Sequence, residues 1–130
     1  MSYLVDSDVV IDFLNKIPTA VNFFKKNLNS EILLSVISWL EIVYGFKKSN
    51  SVKKLKLFQE FIRDNQIVTL PVDEKMAGEY LNLRISLEEK KVPLSDFDLL
   101  IAATAFVNNL TLVTRNTKHF KRIKKLKLFI

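Results

Sequence analysis

Asp6, Glu41 and Asp98 lie far apart in the chain, yet each falls at the boundary of a predicted strand or in the first turn of a predicted helix. A helix N-terminus favours an anion by about 0.3–1 kcal/mol, so any one of the three has a structural explanation. Three on a shared sheet edge would repel one another unless a cation sat between them. Hydrolysis of a phosphate ester needs such a cluster. A divalent ion held by carboxylates lowers the pKa of a bound water, polarises the phosphoryl oxygens and steadies the departing oxygen. Asp6, Glu41 and Asp98 are therefore the expected ligands of Mg²⁺ or Mn²⁺ and the expected catalytic acids. Ser7, Asp8, Asp96 and Thr114 are expected around them as orienting hydroxyls and outer carboxylates.

RNTKHFKR, residues 115 to 122, follows a predicted strand and so lands beside the acids. Arg115 and Lys118 suit a phosphate backbone, with Lys121 and Arg122 extending the basic surface. Asn116 can orient a metal-bound water. His119 is either a general acid or strand contact, or a helix-end residue bonded to backbone.

Composition narrows the alternatives. There is no cysteine and one histidine, so disulfides, thiolate nucleophiles and zinc sites built on Cys or several His are excluded, and a metal here must take carboxylate oxygen. Of the net charge of +6, residues 99 to 130 carry seven basic and no acidic side chains, leaving −1 on the remainder. A polyanion is a natural partner for such a surface, which would otherwise act as a basic solubilising face. No apolar run approaches the ~20 residues of a membrane span, and MSYLVDSDVV lacks a secretory leader, so a cytoplasmic protein is expected.

The positioning elements alternate. Strands are expected at residues 3 to 6, 31 to 36, 67 to 72 and 110 to 114, with a fifth at 126 to 130. Ser7 or Asp8 is expected to cap a short first helix, and Pro18 to open a second that runs to about Asn27. Ser38 with Glu41, and Ser95 with Asp98, have capping-box spacing. Residues 51 to 65 are amphipathic through Leu55, Phe58, Phe61 and Ile62, and Asp73 is expected to cap a helix with the stripe Met76, Tyr80, Leu83 and Leu87. LLIAATAFV is apolar nearly all round, as in a helix buried against a sheet. The fold class expected is α/β, a three-layer α/β/α sandwich with a mostly parallel five-stranded sheet, over residues 1 to 130 as a single domain. In that class functional groups gather at the carboxyl edge of the strands. The only glycines, Gly45 and Gly78, lie in predicted helices, so no glycine-rich phosphate cradle exists.

LVDSDVVIDFL, the glutamate of SWLEIVYG, SDFDLLIAATA and LVTRNTKHFKRI together resemble the PIN-domain family, in particular VapC-like toxins of toxin–antitoxin pairs. The resemblance spans nearly the whole chain. It implies a Mg²⁺- or Mn²⁺-dependent endoribonuclease with Asp6, Glu41 and Asp98 around the metal, inhibited by a cognate antitoxin protein that carries the DNA-binding part of the pair. It also implies a homodimer, which would give the Leu55–Phe58–Ile62 or Met76–Tyr80–Leu83 stripe a partner surface beyond the core. Many family members place a fourth acid in the last motif, where this chain has Asn116 and His119. That weakens the case for a second metal and leaves Asp96 or Asp8 to compensate.

Three other readings compete. Asp6 and Asp8 fit the Asp-x-Asp opening of a haloacid-dehalogenase-type phosphatase, but its later motifs are missing. A receiver domain would need an aspartate ending a central strand, and EILLSV and IVTLPV have none. A catalytically inert PIN-like module would bind RNA or protein through the basic third of the chain.

Overall fold

Apolar residues alternate in direction along three of the four short strands and so feed two cores. The computed structural model describes residues 1–129. Its strands are β1 (Ser2–Val5), β2 (Glu31–Ser35), β3 (Val68–Leu70) and β4 (Thr111–Val113), in the order β3-β2-β1-β4 with every pairing parallel. Tyr3, Val5, Ile32, Leu34 and Val113 pack on one face against helices α1 (Ser7–Leu14), α2 (Pro18–Lys26), α3 (Val36–Lys48) and α4 (Val52–Asp64). Leu4, Leu33 and Leu112 pack on the other against α5 (Glu74–Glu89), α6 (Asp96–Val107) and the chain that follows α7 (Thr117–Phe120). The result is an α/β/α sandwich. Leu99, Ile101 and residues 102 to 105 are all buried, which accounts for the apolarity of α6 all round.

The expected fifth strand is not formed. Residues 126 to 129 meet β4 through a single bridge, Leu112 to Leu128, flanked by Leu112 N–H on Lys127 O and Phe129 N–H on Leu112 O. β4 is only three residues long, since Asn109 turns the chain into it at φ 53° and Thr114 leaves it for the site, so no longer ladder can form. Ile130 of that expectation lies outside the described residues.

Both stripes expected to offer a partner surface beyond the core also pack into the protein's own cores. Phe58 and Met76 are buried, and Leu55, Ile62, Tyr80 and Leu83 pack against the clusters around them.

Helices α1, α3, α4, α5 and α6 end alike. Lys16, Asn50, Gln66, Lys91 and Asn109 take φ between 52° and 60°, and each is followed by a backbone bond back to the last turn, such as Ile17 N–H to Asp12 O. These are Schellman ends made without glycine.

Candidate active site

The register of the sheet brings the first acid to the last motif. Val5 pairs with Val113, so Asp6 and Thr114 leave neighbouring strands side by side, and Asp6 N–H donates to Val113 O at 2.9 Å. Asp6 itself caps α1, with Ser7 and Asp8 already helical, contrary to the expectation that one of them would be the cap. Its Oδ1 accepts from Ser7 N–H and its Oδ2 from the Thr114 hydroxyl, both at 2.8 Å. The residue is 6% exposed. Burial first, then the charge of Asp8 and more weakly that of Glu41, push its pKa up to about 7 against the two hydrogen bonds that favour the charged form.

Glu41 arrives differently from the expectation. Ser35, not Ser38, caps α3 by accepting from Ile37 N–H at 3.1 Å, which moves Glu41 to the second turn. Ser38 is buried with its hydroxyl unpartnered. Ser35 wins because it ends β2, where the extended backbone of a cap is already set. Glu41 Oε1 accepts from Ser7 Oγ at a long 3.4 Å. Burial raises its pKa, and the charges of Asp98 and Asp8 add to the rise.

Asp98 holds the expected first-turn position of α6, with its N–H on Ser95 Oγ at 3.2 Å. Its charge adds to the rise in the Glu41 pKa. Asp8 belongs to the cluster too. Its Oδ2 accepts from Arg115 N–H at 3.1 Å and stands 3.5 Å from Thr114 Oγ1, while Oδ1 is buried without a partner. Burial leads the rise in its pKa. Asp96 turns away, accepting from the Tyr80 hydroxyl at 2.8 Å and pairing with Arg84 at 3.5 Å, all at the surface.

In the last motif Asn116 N–H donates to Thr114 Oγ1 at 3.0 Å, which fixes its backbone beside Asp6. Lys118, His119 and Lys121 are exposed. Arg122 Nη1 donates to Pro93 O at 2.7 Å and so ties this segment to the loop before α6. One participant was not singled out from the sequence. Asp12 pairs with Arg115 Nε at 2.8 Å, and the four-residue spacing from Asp8 was its only signal.

Among the described residues, no three acidic or histidine side chains are drawn together closely enough to hold an ion as they stand. The donor set nonetheless fits a hard divalent cation. It is all oxygen, Asp6 is buried in it with Glu41 and Asp98 half-buried, the charges of Asp8 and Glu41 raise the Asp6 pKa, and beside it the buried Oδ1 of Asp8 lacks a donor. Mutual repulsion opposes closer approach of these acids, and a cation would remove that opposition.

Comparison with known proteins gives a consistent set. The PIN domain family matches residues 3–126. Ribonuclease VapC2 of Rickettsia felis is 34% identical over 97% of this chain and 95% of its own length. Ribonuclease VapC1 of Methanocaldococcus jannaschii is 31% identical over 98% of this chain and 85% of its own. In a crystal structure of VapBC2 from Rickettsia felis bound to a DNA fragment from their promoter, one chain superposes with a TM-score of 0.88 at 31% identity, covering 99% of this chain and 98% of that one.

Proposed function

This chain belongs to the PIN-domain family and is homologous to the VapC ribonucleases of toxin–antitoxin pairs, and from that premise we propose that residues 1 to 130 form one Mg²⁺- or Mn²⁺-dependent endoribonuclease domain acting as such a toxin. The observation that carries the reading is Asp6, a buried carboxylate at the end of β1 on which the charges of Asp8 and Glu41 both bear. Asp6, Glu41 and Asp98 would hold the cation. When bound, it supplies Lewis-acid activation of the attacking water and of the phosphodiester. Thr114 and the Ser7 N–H orient the Asp6 carboxylate, and the Ser7 hydroxyl does the same for Glu41. Asp8 lies outside these three, locked to the Arg115 backbone. Asn116, whose backbone N–H is held by the Thr114 hydroxyl, aligns the water for in-line attack through its amide. Arg115, Lys118, His119 and Lys121 receive the strand, which leaves Arg122 to its Pro93 tie.

The Rickettsia felis relative was crystallised as VapBC2 on promoter DNA. By that likeness this chain pairs with a cognate antitoxin protein and meets DNA only through it. A homodimer and a cytoplasmic setting belong to the same reading. Among the described residues no helix is long and apolar enough to cross a membrane.

The test is cleavage of mixed structured RNAs with Mg²⁺, with Mn²⁺ and with EDTA, followed by analysis of the new ends. Cutting only with metal, leaving 5′-phosphate and 3′-hydroxyl ends, is expected. A 2′,3′-cyclic phosphate would assign the attack to the RNA's own 2′-hydroxyl and sink the proposed nucleophile. RNA retained but uncut under all three conditions would favour an inert binding module.

A further inference from the structure

Helix α1 holds Arg115 at two points. Asp8 takes its backbone N–H at 3.1 Å, and Asp12 pairs with its Nε at 2.8 Å. One helical turn separates the two acids, so they present to the same side of α1. The Asp12 side chain is 16% exposed and that of Arg115 66%, so the acid is set in the protein wall and the base projects from it. A guanidinium carries five donors in a rigid fork, and one pairing through Nε leaves donors for a second anion. A long side chain standing free would have to be ordered by its ligand at every encounter. One already tethered is not.

We propose that Asp12 is a positioning residue: it fixes the Arg115 guanidinium at the rim of the acidic pocket, so that a phosphodiester of the RNA strand beside the scissile bond meets a charge already in place. The inference rests on the ribonuclease reading of the same site. Its ligand is the anionic backbone, which the planar fork grips at two oxygens and a lysine would not.

Cleavage of one labelled oligoribonucleotide with Mg²⁺ is compared for the wild type, Asp12→Asn, Asp12→Glu, Arg115→Ala and the double variant Asp12→Asn/Arg115→Ala. Binding of the same RNA is measured with EDTA. Asp12→Asn and Arg115→Ala should each lower kcat/KM about tenfold, mainly through KM, and the double variant should be no worse than Arg115→Ala alone. Asp12→Glu, which keeps the charge, should recover most of the loss. Additive losses, an unchanged kcat/KM for Asp12→Asn, or tighter RNA binding by Asp12→Asn would overturn the proposal; the last would mean that Asp12 sequesters Arg115. Should the wild type leave RNA intact, the ribonuclease reading fails and the cycle is read on binding alone. Coupled losses then uphold the tether, and additive or absent losses overturn it.

Discussion

Asp6→Asn is expected to abolish RNA cleavage while making the metal-free fold more stable above pH 7. The two effects share one cause. Asp6 is buried among like charges, and its pKa rises from 3.8 to about 7 on folding. A carboxyl group raised in this way makes its full contribution to stability below its unfolded pKa and loses it as pH climbs through the folded one, because the native state binds the extra proton. At pH 8 the charged group costs the fold roughly 4 kcal/mol at most, since each tenfold rise in proton affinity on folding corresponds to about 1.4 kcal/mol. Asparagine keeps the shape and removes the charge, so about 1–3 kcal/mol should be regained and the fall in stability between pH 4 and 8 should flatten. Cleavage should drop at least about a thousandfold, since the site loses the several kcal/mol of charge stabilisation that a well-held cation provides. Thermal unfolding across pH, with and without Mg²⁺, checks the first half, and single-turnover cleavage checks the second. A variant that is both inactive and less stable at pH 8 would mean that Asp6 is a structural residue.

Asp98→Asn and Asp96→Asn should differ by about two orders of magnitude in cleavage although the residues are two positions apart. The charge of Asp98 adds to the rise in the Glu41 pKa, whereas Asp96 points to Tyr80 and Arg84 at the surface. Losing Asp98 removes a ligand, and about a hundredfold or more should disappear from kcat/KM. Losing Asp96 dismantles an exposed network worth about 0–1 kcal/mol, with cleavage changed less than about threefold. Glu41→Gln should follow Asp98→Asn. Equal losses for Asp98→Asn and Asp96→Asn would show that the start of α6 matters as a unit and that Asp98 has no separate role.

Much of this site was legible in the sequence because local rules agreed with the fold. YLV followed by aspartate reads as a buried strand meeting its edge, and Ser95 with Asp98 did cap α6 as its spacing predicts. The same rule misled at Ser38. Capping-box spacing is a local signal, and the extended end of β2 at Ser35 decided where α3 starts. LKLFI has strand composition, but three residues of β4 gave it almost nothing to pair with. Helix ends were hard to place because five of them use Lys, Asn or Gln in the left-handed conformation where glycine would have marked the stop. Asp12 was passed over for a different reason: beyond its four-residue spacing from Asp8, its role depends on Arg115, over a hundred residues away, and no periodicity joins those two.

The central claim is that Asp6, Glu41 and Asp98 together take a divalent cation. Anomalous diffraction from crystals soaked in Mn²⁺ tests it most directly. A peak is expected with carboxylate oxygens of these three residues at about 2.1 Å or joined to it through one water. A well-soaked crystal with no peak at the end of β1, or with the peak held by other residues, would contradict it.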